Sequence, residues 1–253
     1  MKMLTLNNLK ELPYAAEEAL NRLRVNLGFC GSQFKKIVIT STTPNEGKSF
    51  VSSNLWRMLA EAGHKVVLVD ADIRKSVMRS RYQISHKRDE EFVGIVHYLA
   101  GQGSVDDLIY ATNVSENAFM VPTTTTVSNP ALLFQSKRFP QLLDELAERF
   151  DYVLVDTAPL SNVADAGLIA SQCDGTILVV RSGVTPRRMI ASSIKQVERS
   201  GCELLGVVLN RVEARSNPYY YKYSKYGYYQ DYYGHDDDHS GGSRAGGKRG
   251  QKR

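Results

Sequence analysis

Five short runs along the chain are almost continuously apolar. They begin at Lys36 (KIVIT), Lys65 (KVVLVD), Tyr152 (YVLVD), Gly175 (GTILVV) and Leu204 (LLGVVLN). All are rich in β-branched residues and none alternates cleanly with polar ones. That is how strands read when both faces are covered, as in a parallel sheet. Between the runs lie segments with helical spacing. KSFVSSNLWRMLAEAG closes on Gly63, a C-terminal stop, and SKRFPQLLDELAERF and PRRMIASSIKQVERSG follow later, the second opening on Pro186. Strand and helix alternate, so the pattern predicts an α/β fold, doubly wound, with a mostly parallel sheet flanked by helices. Upstream, AAEEALNRLRVNL puts Ala16, Leu20, Leu23 and Leu27 on one face of an amphipathic helix.

The pattern stops after Arg215. Tyr, Gly, Ser, Asp and Lys take over and aliphatic residues disappear. Such a segment cannot bury enough apolar surface to offset the entropy of ordering it, so a disordered tail is expected. The reading divides the chain into an N-terminal element (1–35), a body (36–214) and a tyrosine-rich tail (215–253). Nine of the 14 tyrosines lie between Asn217 and Gly234: Tyr219, Tyr220, Tyr221, Tyr223, Tyr226, Tyr228, Tyr229, Tyr232 and Tyr233.

Composition adds three constraints. No apolar run approaches the ~20 residues of a membrane span, and the first 20 residues lack the apolar core of a signal peptide. A cytoplasmic chain is therefore expected. Cys30, Cys173 and Cys202 are far apart in sequence and odd in number, which fits free thiols in a reducing compartment. The net charge is +5, and the last ten residues carry five basic side chains and no acid. A basic end suits an anionic partner or simply keeps the tail in solution. The run HDDDH, His235 to His239, reads as a solvated charge run rather than a metal site.

The chemistry begins at VITSTTPNEGKSF. A strand runs into a polar loop, then Gly47-Lys48-Ser49, then a helix. A loop at a helix N-terminus aims backbone N–H groups at a phosphate chain. Lys48 would reach the β- and γ-phosphates, and Ser49 would place its hydroxyl on Mg²⁺. Asn45, Glu46, Gly47, Lys48, Ser49 and Phe50 form the candidate nucleotide-binding set. The match to G-x-x-x-x-G-K-[ST] is incomplete, because Thr42 stands where the leading glycine belongs. The next strand ends in Asp70, with Asp72 and Arg74 following, and a third strand ends in Asp156. In open α/β sheets ligands sit at the carboxyl ends of the strands. Three acids there, beside Gly-Lys-Ser, make a nucleotide–Mg²⁺ constellation in which Ser49, Asp70, Asp72 and Asp156 are the candidate metal ligands. Lys48, Asp70, Asp72 and Asp156 are the candidate catalytic set.

The trio TTPNEGKS, VLVDADIR and LVDTAP resembles the bacterial tyrosine kinases of capsular and exopolysaccharide export, P-loop proteins related to the MinD/ParA ATPases. The likeness extends from about Glu17 to the tail through GIVHYLAG, NPALLFQSKRF, DGTILVVRSGVT and GVVLNRV. It implies an ATP- and Mg²⁺-dependent protein-tyrosine kinase that autophosphorylates the tail tyrosines, between subunits, and regulates polysaccharide export. It places Asn210 and Arg211 near the adenine. It implies a ring-like homo-oligomer, a transmembrane activator that holds the chain at the inner face of the membrane, a cognate tyrosine phosphatase, and no nucleic-acid partner. Asp70 is the expected acceptor of the phenol proton, with Asp72 assisting or exchanging roles with it.

Two other readings stand beside this one. A MinD/ParA-like ATPase switch would carry a second lysine early in the phosphate loop, and Thr42 to Glu46 contain none. A non-catalytic ATP-binding scaffold, or an adhesive tail, would use the same composition without transfer. Three positions depart from the family pattern. The helix motif tied to self-association has Asn21 where an arginine is usual, leaving Glu18, Arg22 and Arg24 as candidate oligomerisation residues. Ser76 and Ala158 stand where prolines are usual, and neither is expected to touch the metal ligands.

Overall fold

Valines and isoleucines in unbroken runs fold as central strands only where helices cover both sheet faces. The computed structural model, which describes residues 2–86, 92–161 and 164–212, has that arrangement. In chain order the first elements are β1 (Met3–Leu6), α1 (Tyr14–Cys30), β2 (Lys36–Ser41), α2 (Lys48–Glu61), β3 (Val66–Asp70), α3 (Met78–Arg81) and β4 (Ile84–Ser85). Then come α4 (Ile95–Leu99), α5 (Val105–Leu108), β5 (Tyr110–Thr112), β6 (Ala118–Val121), α6 (Ala131–Phe134) and α7 (Arg138–Arg149). The last are β7 (Tyr152–Asp156), α8 (Asp165–Ala170), β8 (Gly175–Arg181), α9 (Arg187–Arg199) and β9 (Glu203–Asn210).

Among the described residues the strands form one nine-stranded sheet in the order β4-β1-β5-β6-β3-β7-β2-β8-β9. The central pairs β6–β3, β3–β7, β7–β2, β2–β8 and β8–β9 are parallel. Antiparallel pairing is confined to β5–β6 and β1–β4.

The register shows why the apolar runs are continuous. Val38, Val67, Val69, Val153 and Val155 face one core, with Phe139, Leu142, Leu143 and Leu146 of α7. Their neighbours Ile37, Ile39, Val66, Leu68 and Leu154 face the other, with Leu55 and Leu59 of α2 and Leu20 and Leu27 of α1. Successive side chains point to opposite faces, and each face has its own helices. The N-terminal stretch expected to stand apart is thus packed into the same body: β1 pairs with β5, and Leu4 is fully buried. Residues 1–211 form one compact unit.

The run at Leu204 is the exception to the both-faces reading. β9 is an edge strand, and Val207 and Leu209 are about half exposed. The short strands β1, β4, β5 and β6 carry too few residues for their pattern to stand out in the sequence. The tail tyrosines and HDDDH lie outside the described residues.

Core truncation should separate from surface truncation. Leu154→Ala, at a fully buried position in the central strand β7, should cost about 2–5 kcal/mol. Leu132→Ala, 70% exposed, should change stability by no more than about 0.5 kcal/mol. Urea unfolding of the two variants checks both.

Candidate active site

The parallel pairing sets the site. β2, β3 and β7 are adjacent and end together, with Asp70 directly opposite Asp156 in the ladder. The loop leaving β2 reaches α2 through Gly47, which has φ 98° and is the residue before the helix. A side chain is excluded there twice. The left-handed backbone disfavours one, and a Cβ would lie 2.1 Å from the Asn210 side-chain nitrogen. Asn45 also has positive φ, at 64°, which asparagine tolerates better than most residues. The partial positive charge of the α2 N-terminus, about half an elementary charge, therefore points at the carboxyl end of the sheet.

Lys48 sits among the acids. Its Nζ donates to Asp72 Oδ2 at 2.9 Å and lies 3.7 Å from Asp156 Oδ2. Burial draws the ammonium's pKa down, but the Asp156 and Asp72 charges outweigh it and the net shift is upward. Asp156 is buried and accepts at both oxygens from α2, from Ser49 Oγ at 2.7 Å and Ser52 Oγ at 3.1 Å. Burial raises its pKa, against the pull of Lys48 and Ser49.

Asp70 differs. It is buried, its Oδ1 has no hydrogen-bond partner among the described residues, and its Oδ2 accepts a hydrogen bond from Ser76 Oγ. Burial, with Asp156 and Asp72 adding, lifts its pKa to about 7 although Ser76 and Lys48 oppose the shift. This corrects the expectation that Ser76 stays clear of the presumed ligands. The loop after Asp72 curls back, with the Lys75 amide bonded to the Asp72 carbonyl, and delivers the Ser76 hydroxyl onto Asp70.

Sequence reasoning also missed a brace behind the phosphate loop. Glu46 is buried, accepts from the Thr43 amide at 2.8 Å, and accepts from the Thr185 hydroxyl. Asn210 donates to the Glu46 carbonyl at 2.8 Å, while its own side-chain oxygen accepts from the Arg211 amide. Asn210, expected near the adenine, is thus joined to the loop, and Arg211 has φ 55°. The Phe50 amide bonds the Gly47 carbonyl. Arg74 is held by Asp165 and by the Ser128 carbonyl. Ser52 was findable, because it lies one turn from Ser49 on α2. Ser76 and Thr185 gave no signal, because loop geometry alone brings them in.

A cleft of about 460 Å³ opens here, lined by Asn45, Gly47, Lys48, Ser49 and Asp72 among others. Among the described residues no three His, Cys, Asp or Glu side chains form a ready-made metal cage. The oxygen donors nonetheless fit Mg²⁺, which binds through one or two protein ligands and completes its octahedron with phosphates and water. The Ser49 hydroxyl and Asp156 would supply these donors, with Asp70 beside them in the ladder. Glu18, Arg22 and Arg24 lie on α1, away from this cleft's lining, with Arg22 exposed and the other two half-buried. Among the described residues no helix is long and apolar enough to cross a membrane.

Comparison with known proteins agrees with this geometry. A family model described as an AAA domain matches residues 34–198. The chain is similar to the tyrosine-protein kinase CpsD of Streptococcus pneumoniae, with 38% identity over 86% of this chain and 92% of that protein. Among solved structures it resembles the kinase domain of Escherichia coli tyrosine kinase ETK, with TM-score 0.70, 28% identity, and 81% of this chain and 84% of that one covered. The septum site-determining protein MinD from Pyrococcus horikoshii, complexed with Mg-ADP, shares the fold at TM-score 0.58 and 23% identity, over 73% and 74% of the two chains.

Two outcomes follow for stability. Gly47→Ala should distort the loop, and Gly47→Ala/Asn210→Ala should recover only the clash and not the backbone strain. Thermal unfolding of both checks this. A carboxyl harder to ionise when folded makes the fold lose stability as pH rises from about 4 to about 7, because the folded chain then binds more protons than the unfolded one. Asp70→Asn should flatten that slope and raise the urea midpoint at pH 7.5. An unchanged pH profile would contradict the burial argument.

Proposed function

Because the chain belongs to the bacterial tyrosine-protein kinases and carries an AAA domain, we propose that it transfers the γ-phosphoryl of ATP to tyrosines of its own tail. The observation that carries this reading is the ammonium of Lys48 held among Asp72, Asp156 and Ser49 at the foot of one cleft. The tail supplies the other half of the reaction, nine tyrosines in an 18-residue stretch.

The step is an in-line displacement at phosphorus. A bond forms from the tyrosine oxygen to the γ-phosphorus, the bond to the β–γ bridging oxygen breaks, and ADP leaves with that electron pair. Catalysis here is mostly positioning and charge neutralisation. Lys48 exchanges its carboxylate partner for phosphate oxygens, and the Gly47–Ser49 backbone orients them. Mg²⁺, held by Ser49 and Asp156 with the nucleotide, would neutralise charge gathering on the phosphates. A phenol has a pKa near 10, so a nearby base must take its proton. Asp70 suits that role. Its pKa of about 7 is closer to the phenol's than an ordinary carboxyl's, and its Oδ1 is unpartnered. Ser76 fixes the other oxygen, which orients the carboxyl.

Phosphorylating four tail tyrosines would turn the net charge of +5 negative, at about −1.5 to −2 per group. We take this to oppose self-association through Glu18, Arg22 and Arg24, since like-charged tails repel. Regulation of polysaccharide export, a transmembrane activator at the inner face of the membrane and a cognate phosphatase complete the proposal. So do the N-terminal element (1–35) as the self-association element and residues 215–253 as the substrate tail.

Incubation with ATP·Mg²⁺, with and without the activator's cytoplasmic segment, followed by mass mapping of phosphotyrosines tests it. Wild type should gain phosphate on the tail, Lys48→Met at least 100-fold less, and the nine-fold Tyr→Phe chain none there. Phosphate-free wild type with normal ATP turnover would favour the ATPase-switch reading instead.

A further inference from the structure

The cleft does not end at the phosphate site. Past Asp72 its wall continues through Lys75, Val77 and Arg81, and Ala158 and Pro159 complete it. They share the lining with Asp72, one of the two acids expected to handle the phenol proton, and Asn210 and Arg211 are not part of it. Two chemistries meet there. Val77, Ala158 and Pro159 offer apolar surface of the kind a phenol ring seeks. Lys75 and Arg81 are exposed cations with no acidic partner within ion-pairing distance among the described residues, whereas the other cations of the cleft are spoken for. Lys48 is paired with Asp72 and Asp156, and Arg74 with Asp165. Arg81 also reaches the Tyr82 hydroxyl, which leaves its charge uncompensated.

From this we propose that the Val77–Pro159 wall is the acceptor subsite, and that Lys75 and Arg81 select tyrosines flanked by carboxylates or by phosphotyrosine. The inference rests on the kinase reading above. An anion beside the acceptor gains charge-assisted hydrogen bonds from the two cations, and a lysine there is repelled.

The tail presents both kinds of flank. Tyr232 and Tyr233 follow Asp231 and precede Asp236, Asp237 and Asp238, with Tyr228 and Tyr229 just upstream. Tyr219 to Tyr226 are interrupted by Lys222 and Lys225. Phosphorylation therefore starts at the acidic end. Each phosphate adds about −1.5 to −2 charge and turns its neighbour into a better acceptor. The modification spreads back toward Tyr219 through the adjacent pairs.

The test uses the full chain with ATP·Mg²⁺, quenched while under about a tenth of the tyrosines are modified, with phosphotyrosines mapped by mass. Wild type should show at least five-fold higher occupancy at Tyr228–Tyr233 than at Tyr219–Tyr226. That ratio should fall to about one in Lys75→Glu/Arg81→Glu, and also when Asp231, Asp236, Asp237 and Asp238 are all replaced by Asn. Even early occupancy in wild type would overturn the proposal. So would a double variant that keeps the ratio but raises the KM for ATP, since the two cations would then serve the nucleotide. A wild-type chain that gains no phosphate on any tyrosine would instead overturn the kinase reading, and this inference with it.

Discussion

One ammonium among buried carboxylates is the constraint on which the rest of the structure depends. Lys48 lies 2.9 Å from Asp72 and 3.7 Å from Asp156. Taking any of these charges from water alone costs several kcal/mol, and removing one partner strands the others. The sheet order is what makes the cluster possible. Three parallel strands must end side by side, and a helix must start where the first of them stops. Each side then has its own task. α2 supplies Ser49 and Ser52 to Asp156, and the loop after β3 supplies Ser76 to Asp70.

That division explains why three similar aspartates behave differently. Asp156 has a hydroxyl on each oxygen and an ammonium near it, so it is held in place. Asp72 is the direct ion-pair partner of Lys48. Asp70 has one oxygen satisfied and one buried without a partner among the described residues. A buried group left unsatisfied costs stability, and natural proteins keep such groups where they are used. The site therefore stores its least comfortable carboxylate at the position that chemistry would assign to proton transfer. Glu46 plays a different part, as a brace. It ties the phosphate loop to Thr185 and, through its carbonyl, to Asn210 at the end of β9. The last strand before the tail is in this way hydrogen-bonded to the loop proposed to grip phosphate.

The central sheet was legible in the sequence because five strands needed apolar residues on both faces, and four of them have that cover. β9 misled for a physical reason: its apolar residues look central, yet among the described strands it has a neighbour on one side only. The short strands β1, β4, β5 and β6 left no usable pattern. Of the site, Lys48, Ser49, Asp72 and Asp156 were readable from spacing, since each sits at or just past a strand end or at a helix start, and the structure brings them together. Asp70 was readable as an acid but not as the half-satisfied one. That distinction depends on Ser76, six residues away and delivered by loop curvature. Asn210 was read from resemblance as a base contact, and its bond to the Glu46 carbonyl of the loop gave no signal in the sequence.

Asp70 is proposed to act in transfer rather than in binding the nucleotide. Single-turnover transfer of ³²P from γ-labelled ATP to the tail, measured alongside ATP·Mg²⁺ affinity, tests it most directly in Asp70→Asn. The account predicts transfer slowed by about 10²–10⁴-fold, the usual worth of a general base, with affinity changed less than about three-fold. Transfer at the wild-type rate, or a loss fully explained by weaker nucleotide binding, would contradict it.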